Sequence, residues 1–174
     1  MYKTLFLSLL STLFIGCSSN SALKHFDKEE IATRAMQHTK KVDLIYKDEI
    51  KVLFWATYLN NINLKEFDLK NETFLVSVYF TNNQVQDINI NNYKFSLVEK
   101  NPLIGELEAE FIEVEPVLIK EISKDDKRYK EILSNNGWGK YYLIEFKEQK
   151  NNYNLKLKLQ NNETSAAQLN FEKS

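Results

Sequence analysis

The spacing of apolar residues changes period several times along this chain. Ile31, Ala32, Ala35, Met36 and Thr39 fall on one face of a helix. Asp27 offers an N-cap, Glu30 completes a capping box three residues later, and Phe26 faces Ile31 across the cap as a hydrophobic staple. A short helix is therefore predicted from about Lys28 to about Thr39. From Lys40 the period falls to two, with Val42, Leu44 and Tyr46 alternating against Lys41, Asp43 and Ile45. Lys47, Asp48 and Glu49 interrupt the pattern, and Ile50 to Leu59 is then apolar almost throughout. One continuous helix from Asp27 to Asn60 is the rival reading. Val52, Phe54, Trp55, Thr57 and Tyr58 are residues that favour strands, so a hairpin is expected.

Further along, Thr73 to Thr81 carries apolar residues on both faces, as a central, covered strand does. Tyr93 to Val98 is a shorter strand candidate. Glu106, Glu108 and Glu110 alternate with Leu107, Ala109 and Phe111, and the phase slips at Phe111 and Ile112, which predicts a β-bulge. Pro116 stops or edges that strand, and Val117 to Ile122 is expected beside it. Lys124 to Leu133 places Tyr129, Ile132 and Leu133 at near-helical spacing, predicting a short helix with a solvated face. Asn135, Asn136 and Gly137 form a turn signal before a strand from Trp138 to Phe146. Tyr153, Leu155, Leu157 and Leu159 share one face of the next strand, and Ala166 to Phe171 is the last. Seven or so strands with asparagine-rich turns predict a mainly β fold. The expected form is an immunoglobulin-like antiparallel β-sandwich with a short N-terminal helix.

Composition narrows the reading. The chain has 174 residues, 43% hydrophobic and 27% charged, which suits one ordered core. Its 11 Phe and 9 Tyr make that core aromatic. The single cysteine rules out an intrachain disulfide, so the immunoglobulin likeness concerns topology alone. Net charge is -1, and Arg34 and Arg128 are the only arginines, a poor supply for phosphate or base recognition. Nucleic acid is not expected as a partner.

The first seventeen residues carry an address. Lys3 is followed by an apolar run from Leu5 to Ile15, broken only by Ser8, Ser11 and Thr12, and then by Gly16 and Cys17. This is the layout of a secretory signal peptide, too short for a comfortable membrane span. Leu13-Phe14-Ile15-Gly16-Cys17 resembles the lipobox of bacterial lipoproteins, with Phe14 where leucine is usual. The resemblance implies diacylglyceryl transfer to the Cys17 sulfur, cleavage before Cys17 and acylation of the new amino group. It implies a signal peptide over residues 1–16, a lipidated tether over 17–26 and a single domain over 27–174. Cleavage would remove Lys3 and no acid. Ser18 is not the aspartate that retains some lipoproteins at the inner membrane, which favours the outer membrane. Two or more acyl chains give stable attachment, so the membrane itself is the first expected partner and other envelope proteins the second.

Candidate chemistry is sparse. His25 and His38 are the only histidines, and neither stands in a catalytic or metal-binding pattern. Glu106 to Glu115 alternates with apolar residues, unlike a calcium loop. No phosphate-binding loop or nucleophile elbow occurs. No enzyme activity, metal or cofactor is therefore expected. Trp138, flanked by Gly137 and Gly139, forms with Tyr141 and Tyr142 a candidate binding surface, because Trp and Tyr are favoured at interface hot spots. The sequence thus points to an envelope lipoprotein with a binding, structural or assembly role. A carrier of a small apolar ligand between the sheets is the alternative, and a carboxylate-based envelope hydrolase ranks third.

Overall fold

The computed structural model describes residues 30–62, 69–82, 84–100, 111–133, 139–150, 152–162 and 166–174. The signal segment with Cys17, the tether, Phe26 and Asp27, the acids from Glu106 to Glu110, and Trp138 lie outside them. The bulge expected at Phe111 and Ile112 is corrected: both pair in unbroken register, with Lys100 and Glu99. From Ile31 onward the chain forms one compact unit.

Residues 30–37 are helical (α1). Ile31 and Ala35 face inward, whereas Met36 is 70% exposed and leaves the stripe predicted for it. Thr39 already belongs to a strand. Its hydroxyl donates to the Ala35 carbonyl at 2.6 Å and meets the Thr57 hydroxyl at 2.6 Å, fastening the helix end to the sheet.

β1 (Thr39–Tyr46) and β2 (Glu49–Tyr58) form the expected hairpin. Its turn is Lys47-Asp48, with φ of 53° and 62°. Two consecutive left-handed residues match the right-handed twist of the strands they join. β3 (Glu72–Phe80) follows, buried on both faces as its sequence predicts. β4 (Lys94–Lys100), β5 (Phe111–Val114), β6 (Leu118–Ile122), β7 (Lys140–Phe146), β8 (Asn154–Gln160) and β9 (Ala167–Glu172) complete the strands.

Two antiparallel sheets result, one in the order β1-β2-β3-β7-β6 and the other β5-β4-β8-β9. Setting β1 aside, these are the A-B-E-D and C′-C-F-G sheets of an immunoglobulin-like domain, with the same crossovers. β1 is an additional strand on the A edge, and its Lys40 ammonium lies 5.7 Å from the ring of Phe171 on β9. The expected pairing of β5 with β6 is corrected: Glu115, Pro116 and Val117 carry the chain from one sheet to the other, and the Val117 amide donates to the Glu145 carbonyl at 2.8 Å beside β7. Pro116 lacks the amide that would continue the β5 ladder.

The core between the sheets is aromatic. Phe74 packs on Tyr58, Phe146 and Phe171 at centroid distances of 5.1, 6.1 and 5.3 Å, and Phe54 on Phe95 at 6.0 Å. These contacts hold the two sheets together where antibody domains use a disulfide. Each fully buried large side chain contributes about 1.5–3 kcal/mol. Leu155, Leu157 and Leu159 face this core as predicted, but Tyr153 precedes the strand and is 76% exposed.

A second core covers the outer face of the five-stranded sheet. Ala35 of α1 meets Leu75, Tyr141 and Leu143 there, along with Tyr129 and Ile132. Residues 123–133 are a run of turns rather than the predicted helix; Tyr129 and Ile132 are buried, while Lys124, Asp125, Lys127, Arg128 and Lys130 form the solvated face that was expected. Ser123 and Asp126 side chains accept from the amides of Asp125 and Arg128, diverting backbone groups a helix would need. Tyr129 and Ile132 amides bond three residues back, which reproduces the spacing that suggested a helix.

Candidate functional site

Besides the β6–β7 connection, the strand order brings to one end of the sandwich the β1–β2 turn, the β3–β4 connection and the β8–β9 connection. An open groove of about 600 Å³ lies among them. Its floor is Phe80 and Tyr93, core residues whose rings meet at 5.2 Å. Tyr46, Lys47, Glu49 and Lys51 form one wall, and Asn82, Asn91, Asn92 and Asn161 the other. A hollow of about 310 Å³ adjoins it, sharing Asn91, Asn92, Tyr93 and Asn161 and adding Asn89, Lys94, Gln160 and Asn162. Together these volumes lie in the range of ligand sites.

The hairpin wall is shaped by a bulge. Leu44 pairs with Val52 and Ile45 with Ile50, so Lys51 is the extra residue on β2. Its carbonyl, left without a β1 partner, accepts from the Thr81 amide at 3.1 Å. The Lys51 ammonium in turn bonds to the Glu49 carboxylate, and that bond holds Glu49 below the usual carboxylate range. Lys47 sits 5.2 Å above the Tyr46 ring.

The opposite wall is a loop built from side chains. Gln86 lies along the end of β3 like a strand: its Oε1 accepts from the Phe80 amide and its Nε2 donates to the Phe80 carbonyl, both at 2.8 Å. One helical turn follows. Asp87 caps its start, accepting from the amides of Asn89 at 2.9 Å and Ile90 at 3.1 Å. The Ile90 amide is the main cause of a lowered Asp87 pKa. Asn92 caps the end with φ of 57°, its amide bonding to the Asn89 carbonyl and the next amide, of Tyr93, reaching Ile88. That pair of bonds is a Schellman motif, in which asparagine tolerates the left-handed backbone. The Asn91 side chain ties the turn to the Val85 and Asp87 carbonyls at 2.9 and 2.8 Å. All three non-glycine residues with positive φ among those described, Lys47, Asp48 and Asn92, therefore sit at this end.

Of the sequence-derived candidates, Cys17 and Trp138 lie outside the described residues. Tyr141 and Tyr142, offered as a binding surface, are 4% and 3% exposed. They lie on opposite faces of β7, Tyr141 in the outer core and Tyr142 between the sheets. Burial raises the pKa of Tyr142. The structure does not bring these two together as a surface. The groove residues were missed because Asn82, Asn91, Asn92, Asn161 and Asn162 read only as turn formers. The usable signal was topological: in an immunoglobulin-like order the β3–β4 and β8–β9 loops share an end, so their asparagine pairs converge.

Comparison with known protein families, with curated proteins and with solved structures finds no match.

Proposed function

We propose that this chain is a lipid-anchored binding protein of the bacterial envelope. Cys17 carries the anchor, and the groove at the loop end of the sandwich takes the ligand. The groove is the observation that carries the binding half of this reading: a preformed hollow whose polar side chains point to solvent above a packed floor. The lipobox-like segment ending in Gly16-Cys17 supports the anchoring half. Binding rather than catalysis is the role, since among the described residues the groove holds one carboxylate, that of Glu49, already engaged by Lys51. The space between the sheets favours this reading over a carrier of apolar ligands, because Phe54, Phe74, Phe146 and Phe171 fill it ring against ring.

The test has two arms. Intact mass and membrane fractionation compare wild type with Cys17→Ala; lipid mass and sedimentation confined to wild type are expected, and an unlipidated, soluble wild type overturns the anchor. Labelled Cys17→Ala protein is then mixed with washed envelopes, with and without Tyr46→Ala. Saturable binding that Tyr46→Ala weakens about tenfold is expected. Binding indifferent to Tyr46, or none, overturns the groove.

A further inference from the structure

We propose that the groove recognises an uncharged polyhydroxylated ligand, a short glycan. This inference rests on the binding role proposed above and names its ligand class. The lining offers an ion two exposed ammonium groups, Lys47 and Lys94, on different walls. Glu49 and Lys51 neutralise each other, Asn82 Nδ2 approaches the same carboxylate at 3.4 Å, and the Lys47 ammonium lies over Tyr46. Lys94, at the rim of the adjoining hollow, is a single exposed cation rather than a cluster. Apolar ligands are poorly served as well, because Phe80 and Tyr93 are packed into the floor.

Carboxamides dominate what remains. Asn82, Asn91 and Gln160 are engaged with Glu49, with the Val85 and Asp87 carbonyls and with Glu113, so the exposed Asn89, Asn92 and Asn162 make the offer: each presents an N–H donor and a carbonyl acceptor side by side, which matches two neighbouring hydroxyls that each donate and accept. Asn92 is the clearest case. Its backbone is committed to the Schellman bonds, its side chain is exposed, and its amide makes no hydrogen bond among the described residues. Gln86 and Asn91 hold the loop beneath it, so the amide is presented from a fixed backbone and little ordering remains to be done on binding. Tyr46 adds an aromatic ring with a polar tip, the side chain best suited to a surface with both C–H and O–H groups.

Full-length Cys17→Ala protein is titrated with a tetramer of N-acetylglucosamine and with maltotetraose, followed by amide chemical shifts. Saturable shifts of Asn92 and Tyr93 are expected from at least one saccharide. The affinity should change less than about twofold between low and high salt, because no charge pairing is involved. Asn92→Gly keeps the left-handed backbone and removes the amide; it is expected to weaken binding about tenfold with an unchanged melting temperature. Two results overturn the glycan. One is no saturation by either sugar; the other is binding that collapses with salt and is matched by a sulfated dextran. If the Tyr46-dependent binding to envelopes persists in either case, the groove reading stands and only the ligand class falls; if that binding is also absent, both fall.

Discussion

The two ends of the sandwich are built from the same residue types and put them to opposite use. At the end away from the groove, polar side chains are turned inward. Glu72, 1% exposed at the start of β3, accepts from the Tyr58 hydroxyl, from the Gln149 amide at 2.7 Å and from the Lys173 ammonium at 2.6 Å. Lys173 also donates to the Gln149 carbonyl at 2.8 Å. Burial, and then the neighbouring carboxylate, push the Tyr58 pKa up, so its proton stays in place to donate. Asparagines there are committed too. Asn60 bonds to the Asn71 carbonyl and the Thr73 amide, and Asn61 to the Glu172 carbonyl and to Ser174. At the groove end Asn91 is committed in the same way, to the Val85 and Asp87 carbonyls, whereas the Asn92 and Asn162 side chains are exposed. A residue type alone therefore says little: asparagine is mortar in Asn60, Asn61 and Asn91 and a presented group in Asn92 and Asn162. The difference is whether a backbone group lies within reach.

That contrast can be broken most sharply at Lys173. Lys173→Met keeps the methylene stem and leaves Glu72 buried without its cation, so a loss of about 3 kcal/mol is expected in urea unfolding, at the low end for a buried pair because Lys173 keeps some contact with water. A loss under about 0.5 kcal/mol would show that the closed end is no lock. The next test sets two asparagines against each other. Asn60→Ala strands the Thr73 amide and leaves the Asn71 carbonyl only the Thr73 hydroxyl, and should cost about 2 kcal/mol, whereas Asn162→Ala should stay within about 0.5 kcal/mol. Equal effects from the two would erase the distinction between the ends. Asn92→Ala should cost about 1 kcal/mol through its left-handed backbone, and Asn92→Gly nearly nothing, measured in the same unfolding series.

The smallest expected effect is electrostatic. The Ile90 amide holds the Asp87 carboxyl below its usual range. A depressed acid contributes stability that is present above its ordinary pKa and lost as pH falls through the depressed one. The Ile90 amide resonance should therefore titrate with a midpoint below about 3.9, the ordinary aspartate value. A midpoint at or above that value would remove Asp87 from the cap.

The strands were legible where burial is one-sided or complete. Apolar runs of strand-favouring residues placed β2 and β3, and one-sided alternation placed β8, each to within a residue or two. The sandwich followed from their number and their turns, whereas the strand order within each sheet did not. Residues 123–133 misled because turns that bond three residues back bury Tyr129 and Ile132 at a spacing close to that of a helix. β6 was assigned to the wrong neighbour because sequence adjacency suggests pairing, and only the bonds to β7 distinguish a hairpin from a crossover. Tyr141 and Tyr142 drew attention as aromatics when both serve cores. The groove stayed hidden because its asparagines matter through convergence of loops about seventy residues apart, which no local pattern encodes.

The Glu72–Lys173 pair has a consequence in time. Its partners are 101 residues apart. At about 5–20 residues per second, a ribosome delivers Lys173 about 5–20 s after Glu72. Until then the Glu72 carboxylate has no cation to accompany it out of water, and β9 is not there to cover it. The closed end of the sandwich therefore cannot be completed until β9 and Lys173 have emerged.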